Sequence, residues 1–274
     1  MAKLSVGELK TTANTIRQDI IKMLYQAGSG HSGGSLGMTD IMTVLYFNIL
    51  KHTPHQPNNI YRDRLVLSNG HVCPVLYATL ARAGYFPLAK LKTLRKINSA
   101  LQGHPHRNSL PGIETSSGPL GQGISQAVGM AMAAAMNKKN HHIFCITSDG
   151  EHDEGQVWEA IMTAHKYKLN NLINIVDYNG IQIDGPTKYI MPLQSLRHKY
   201  ESFNWHVLEM DGHNIKEIIR TINKAKKMKK PTAIIAHTIL GKGVSFMENQ
   251  YIWHGLAPNQ EQKDRAIKEL QNGK

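Results

Sequence analysis

One acidic and one amide residue, thirty positions apart, are of the types that hold a magnesium ion: Asp149 in Ser148-Asp149-Gly150 and Asn179 in Tyr178-Asn179-Gly180-Ile181. Mg²⁺ takes hard oxygen ligands in near-octahedral geometry and is usually held by carboxylates together with a substrate's phosphates. Asp149 offers charge, Asn179 a neutral oxygen, and the Ile181 carbonyl a third ligand. Asp-Gly and Asn-Gly after strands are also ordinary turn chemistry. The pair therefore needs company before it means a site.

Four histidines in glycine-rich turns supply that company: His31 in Gly30-His31-Ser32-Gly33-Gly34, His71 in Ser68-Asn69-Gly70-His71, His104 in Gly103-His104-Pro105 and His254 in Trp253-His254-Gly255. A single His in such a turn is more often structural than catalytic. Four at segment ends read as a convergent set, because glycine lets the backbone approach a ligand and imidazole donates to phosphate oxygens or relays protons near neutral pH. Zinc is the rival, but no two of them have the short His-x₃₋₅-His spacing or the cysteine company that favours it. Gly118-Pro119-Leu120-Gly121-Gln122-Gly123 departs from the dinucleotide fingerprint, since Gln126 stands at the third glycine position and no strand immediately precedes it. It reads either as a loop whose backbone and Leu120 line a cofactor pocket or as a tight helix-entry turn. Glu154 and Glu159 lie on opposite sides of Trp158 in sequence and, five positions apart on a helix, do not share one stripe. They are either solvated or members of an interface or proton-sharing network.

These residues need an α/β scaffold. Ile143 to Thr147 and Leu172 to Val176 have the length and β-branched content of buried parallel strands, with a helix over roughly Gly155 to Tyr167 between them. One such βαβ unit delivers Asp149 and Asn179 to the same sheet edge, where open α/β sheets bind ligands. Further helices are expected over Leu9 to Ala27, Thr39 to Leu50, Val75 to Ala83 and Gly121 to Met136, and further strands near Arg62 to Ser68, His206 to Leu208 and Thr232 to His237. The alternation predicts a mostly parallel sheet with helices on both faces. Leu101 to Gly118 is too long and polar for a routine connection and reads as functional. The last fifteen or so residues are expected to be weakly anchored.

The chain has 274 residues, enough for one large α/β domain, and no segment marks a linker. It lacks the apolar run of a membrane span and the apolar core of a signal peptide. Cys73 and Cys145 are isolated in apolar surroundings, which points to core packing and reduced thiols in a cytoplasmic protein. Charge is +12, with 32 Lys and Arg against 20 Asp and Glu. Nucleic acid is the first partner such charge brings to mind, yet no recognition motif accompanies it and the cluster Lys224 to Lys230 sits at a helix end. Phosphorylated or otherwise anionic small molecules fit better.

Taken in order, Gly28-Ser29-Gly30-His31, Asp63 to His71, Gly103-His104-Pro105, Gly118 to Gly123, Ser148-Asp149-Gly150-Glu151, Glu154 to Ala160, Asp177 to Gly185 and Gly241-Lys242-Gly243 through Gly255 resemble the diphosphate-binding domain of transketolases over nearly the whole chain. Two departures are visible: Ser148 where relatives usually have glycine, and Asn179-Gly180 where they often have Asn-Asn. Neither removes a ligand oxygen. The resemblance implies a thiamine diphosphate-binding fold, Mg²⁺ on Asp149, Asn179 and the Ile181 carbonyl, and Gly150, His71 and His254 near the diphosphate. Gly118, Leu120, Glu154 and Ile183 would line the cofactor. His31, His104 and His254 would contact the sugar and help move protons. Glu154 and Glu159 would join a carboxylate network between active sites. Residues 1–274 would be a single diphosphate-binding domain, with the pyrimidine-binding and C-terminal domains on a separate chain in a dimer of heterodimers. The implied reaction transfers a two-carbon ketol unit from an anionic ketose to an aldose, in the cytoplasm and without nucleic acid or membrane. Half of a deoxyxylulose-phosphate synthase or of an oxo-acid dehydrogenase is the rival enzyme, and a non-catalytic anion or nucleic-acid binder the remote alternative.

Overall fold

Five parallel strands form the centre of the protein in the order β1-β2-β3-β7-β6: β1 Arg64–Leu67, β2 Ile143–Ser148, β3 Leu172–Tyr178, β6 His206–Asp211 and β7 Thr232–His237. The computed structural model describes residues 3–272. β2 is buried over all but Ser148, and β3 over all but Tyr178, as expected for strands covered on both faces. Their side chains alternate between two cores. Phe144, Ile146, Ile173 and Ile175 enter one, whereas Ile143, Cys145, Leu172 and Val176 enter the other.

The first core is closed by α1 (Val6–Ala27), α2 (Ser32–Gly37), α3 (Thr39–Val44), α4 (Cys73–Arg82) and, further along the chain, α9 (Ile215–Ala225). α1 starts three residues before the expected Leu9 because Ser5 and Glu8 form a capping box, and it ends at Gly28, whose φ of 67° suits glycine. α3 does not continue as a regular helix to Leu50; residues Leu45–Ile49 form a π-helical turn. The second core is closed by α5 (Gln122–Met136), α6 (Gly155–Lys166) and α8 (Leu196–Ser202). A two-stranded ribbon, β4 (Ile181–Gln182) with β5 (Gly185–Pro186), follows β3 and leads into α7 (Thr187–Ile190).

Leu101 to Gly118 contains no helix or strand, as its composition predicted, but it is not loose. Tyr77 Oη donates to the Gln102 carbonyl at 2.9 Å, Ser117 N to the Pro105 carbonyl at 3.0 Å, and Arg107 N to Ser116 Oγ at 2.9 Å. The expectation of a weakly anchored end is overturned within the described residues. α10 (Gln260–Gln271) has an Asn259/Gln262 capping box, buries Ala266 and Leu270 four positions apart, and takes a 2.6 Å hydrogen bond from Asn14 Nδ2 to the Leu270 carbonyl. Its short apolar stripe among charged residues hid an amphipathic helix that packs on α1.

Candidate active site

The carboxyl ends of β1, β2 and β3 meet at one cavity of about 270 Å³. Its lining brings together His31, His71, His104 and His254 with Gly118, Leu120, Asp149, Gly150, Asn179, Ile181 and Ile183. Every site residue singled out from the sequence is there except Glu154 and Glu159. Glu154 is exposed at the start of α6, where it lies close against Gly121 of the loop before α5. Glu159 is exposed on the same helix.

Asp149 is 1% exposed. Its Oδ1 accepts Gly150 N at 2.8 Å and its Oδ2 accepts Gly180 N at 2.7 Å, while Asn179 Oδ1 accepts Ile181 N at 2.9 Å. Behind it lies Asp177, also buried, which accepts a hydrogen bond from Thr238 Oγ1. Burial pushes the Asp149 carboxyl up to about 7, and the Asp177 charge adds to this, while the Gly180 and Gly150 N–H groups pull back. Burial likewise pushes Asp177 up to about 6. Two buried carboxylates side by side are costly unless a cation joins them. An oxygen set of this kind, one carboxylate with an amide and a backbone carbonyl nearby, suits Mg²⁺.

The histidines pack ring to ring. His71 stacks near His254 with centroids 5.1 Å apart, and His31 lies 5.1 Å from His71, 5.8 Å from His254 and 6.4 Å from His104. Burial lowers His31 to about 4, helped by His254, Arg95 and His104, and lowers His71 to about 3. His254 is lowered by burial, and His104 by burial and then Arg95. At neutral pH the cluster is therefore a set of neutral imidazoles, each with one donor and one acceptor nitrogen. His31 Nδ1, His254 Nδ1 and Gln182 Nε2 are buried without a hydrogen-bond partner among the described residues. Unsatisfied groups converging on a cavity fit a polar ligand with many oxygens. Among the described residues, no group of three or more His, Cys, Asp or Glu is placed to hold a metal, so the zinc alternative finds no ligand set.

Three contributors escaped the sequence reading. Glu151 is fully buried and gathers three segments: Oε1 accepts Ser68 Oγ and Gly121 N, the latter at 2.9 Å, and Oε2 accepts Ser148 N at 2.9 Å. Burial raises its pKa and these donors hold it down. His152 is buried beneath the same turn, its Nδ1 2.8 Å from the Ser148 carbonyl and its Nε2 2.9 Å from Tyr200 Oη, which also takes a 2.7 Å bond from Asn174 Nδ2. Arg95 lies behind Gly103 and Gly30, close enough to depress His31 and His104. Glu151 had a signal, since it directly follows Gly150; His152 and Arg95 had none beyond residue type.

Residues 9–272 match the family described as transketolase, thiamine diphosphate binding domain. The chain belongs to the transketolase family. It is 44% identical over 265 residues to the 6-deoxy-6-sulfo-D-fructose transketolase subunit SqwG of Clostridium sp. (strain MSTE9), covering 96% of each chain. Against an apulose-4-phosphate transketolase subunit of Phocaeicola vulgatus it is 41% identical, over 97% of this chain and 95% of that one. The crystal structure of transketolase from Campylobacter jejuni superposes with a TM-score of 0.93 at 36% identity, over 98% of this chain and 43% of that chain. The transketolase domain thus spans less than half of that protein and nearly all of the two subunits. The parallel sheet with helices on both faces is the thiamine diphosphate-binding fold of transketolases, which are transferases. These relatives are transketolases and not deoxyxylulose-phosphate synthases.

Proposed function

We propose that this domain supplies the diphosphate and metal half of a thiamine diphosphate- and Mg²⁺-dependent transketolase, completed by a separate pyrimidine-binding subunit in a dimer of heterodimers. The observation that carries this reading is the single cavity holding four neutral imidazoles beside the buried Asp149 and the half-buried Asn179. In it, Asp149, Asn179 and the Ile181 carbonyl hold Mg²⁺, while Gly150, His71 and His254 stand at the diphosphate. Leu120 and Ile183 pack on the cofactor rings. Both are exposed, 39% and 60%, with Tyr251 and Ile252 also exposed next to β4, so this mouth presents apolar surface for a partner to cover.

Thiamine diphosphate, when bound, supplies an electron sink for breaking a carbon–carbon bond beside a carbonyl. The protein's part is orientation and proton handling. His31, His104 and His254 are neutral, so each can take a proton from a sugar hydroxyl and return it to a carbonyl oxygen. Arg95 adds positive charge beside His31 and His104 and suits an anionic ketose. The named subunits are a 6-deoxy-6-sulfo-D-fructose and an apulose-4-phosphate transketolase subunit, which supports an anionic ketose as the substrate class here. Glu154 and Glu159, exposed on α6, face the second heterodimer as a carboxylate network. The cytoplasm is the compartment this reading implies, with Cys73 and Cys145 as buried free thiols. No helix among the described residues is long and apolar enough to cross a membrane.

Reconstitution tests the proposal. The chain is expected to be inactive alone and to turn over an anionic ketose with thiamine diphosphate and Mg²⁺ once a pyrimidine-binding subunit is added. Turnover by the purified chain alone would overturn the two-subunit reading.

A further inference from the structure

A second cavity, of about 830 Å³, lies at the opposite pole of the sheet. Its floor includes Arg64 and Ile143, which are paired at the amino ends of β1 and β2, whereas the active-site cavity opens beyond the carboxyl ends. No residue lines both. The volume falls in the range of roughly 300–1,000 Å³ typical of small-molecule sites.

Its charge is lopsided. Arg62, Arg64, Arg107 and Lys139 face Glu114, the one acidic residue in the lining among the described residues. Glu114 is bonded by Arg62 and lies 3.9 Å from Arg64, so it is consumed in holding the wall together. Arg62 Nε and Arg64 Nη2 are further tied to the carbonyls of Pro57 and Asn59. Arg107 and Lys139 are different. Arg107 is exposed and its guanidinium makes no hydrogen bond or ion pair among the described residues; Lys139 has only the Tyr61 ring, 4.4 Å below its Nζ. Nearby, His141 Nδ1 is buried and unpartnered. Met130, Ala133 and Ala134 of α5 contribute an apolar part of the lining. Two cations without a carboxylate partner, an orphan imidazole nitrogen and an apolar side in one concavity match an anion carried on a compact organic body.

We propose that this cavity is a second anion site that takes a phosphorylated small molecule, with Arg107 and Lys139 on the phosphate and the α5 side against the organic body. It is independent of the thiamine diphosphate reading, because none of its residues belongs to the first cavity. Arg107 and Lys139 are the residues to change, since neither holds the fold through an ion pair and His104, on the same long segment as Arg107, is left intact.

Calorimetric titration of the full chain with adenosine triphosphate, with ribose 5-phosphate and with inorganic phosphate, each at 0.15 M salt (about physiological), tests it. One-to-one binding of either organic phosphate, tighter than inorganic phosphate, is expected; whichever binds better identifies the source of the phosphate. The Arg107→Ala/Lys139→Ala double variant should weaken that binding at least about tenfold, with an unchanged circular dichroism spectrum, while Asp149→Ala leaves it in place. The proposal is overturned if no organic phosphate binds, if inorganic phosphate binds as well as they do, or if binding survives the double variant, above all if it then disappears in Asp149→Ala. That last result would put the ligand on the diphosphate anchor.

Discussion

The Asp149 carboxylate accepts the backbone N–H of Gly180 at 2.7 Å, so the turns after β2 and β3 are held as one unit by the residue proposed to bind the metal. Asp149→Ala removes both the charge and this tie. In the reconstituted enzyme, Mg²⁺-dependent affinity for thiamine diphosphate should fall at least about a hundredfold, the scale of stripping a buried cation of its charged partner. Fluorescence titration measures it. Full affinity in the variant would sink the metal assignment.

Glu151 gives the first cavity its frame by joining Ser68, Gly121 and Ser148. Glu151→Ala leaves buried donors without an acceptor and should cost about 3 kcal/mol or more in urea unfolding. Glu151→Gln can keep its oxygen toward Ser68 and Gly121 but turns a donor toward Ser148 N, so a smaller loss, about 1–2 kcal/mol, is expected. Equal losses would show that the charge and not the bonding pattern matters.

His152 predicts an acid limb. Burial holds it down to about 4 against an ordinary 6.5, and His71 is depressed in the same direction. The unfolded chain therefore binds protons first as pH falls. The stability associated with neutral His152 is intact above about pH 6.5 and is lost progressively toward about pH 4, by up to about 3 kcal/mol. Unfolding free energies measured across that window should fall less steeply in His152→Leu than in the wild type. An unchanged slope would remove His152 from the account.

His104 and Arg95 separate chemistry from grip. His104→Ala should mainly lower kcat in the reconstituted enzyme, leaving thiamine diphosphate affinity near wild type. Arg95→Gln should raise KM for an anionic ketose about tenfold and spare an uncharged one. It should also shift the acid limb of the rate profile to higher pH, because the Arg95 charge helps depress His31 and His104. Steady-state kinetics over pH 4–8, a window spanning the ordinary histidine range, distinguish the two; matching changes in kcat and KM for both variants would defeat the division of roles.

Much of this architecture is written locally. The apolar runs Ile143 to Thr147 and Leu172 to Val176 read as strands buried on both sides, and the turns that end them place Asp149 and Asn179 at one sheet edge. The histidines in glycine turns were equally legible, because residue type and backbone freedom are properties of a few neighbouring positions. Ends set by side-chain caps and weak stripes were not: α10 depends on Asn259 and on packing with α1.

Residue type and spacing were enough to name the four histidines, Asp149 and Asn179, which share the first cavity, and the α/β frame that carries them. Their electrostatics come only from the folded arrangement. Asp149 is raised by burial and by Asp177, His31 is lowered by burial and by three neighbours, and Glu154 stands outside the cavity that Glu151 frames. The same holds for the second cavity, whose Arg64, Arg107 and Lys139 come from three separated segments. Desolvation and charge coupling depend on distances between residues far apart in the chain, and those distances exist only once the two cores have closed around the sheet.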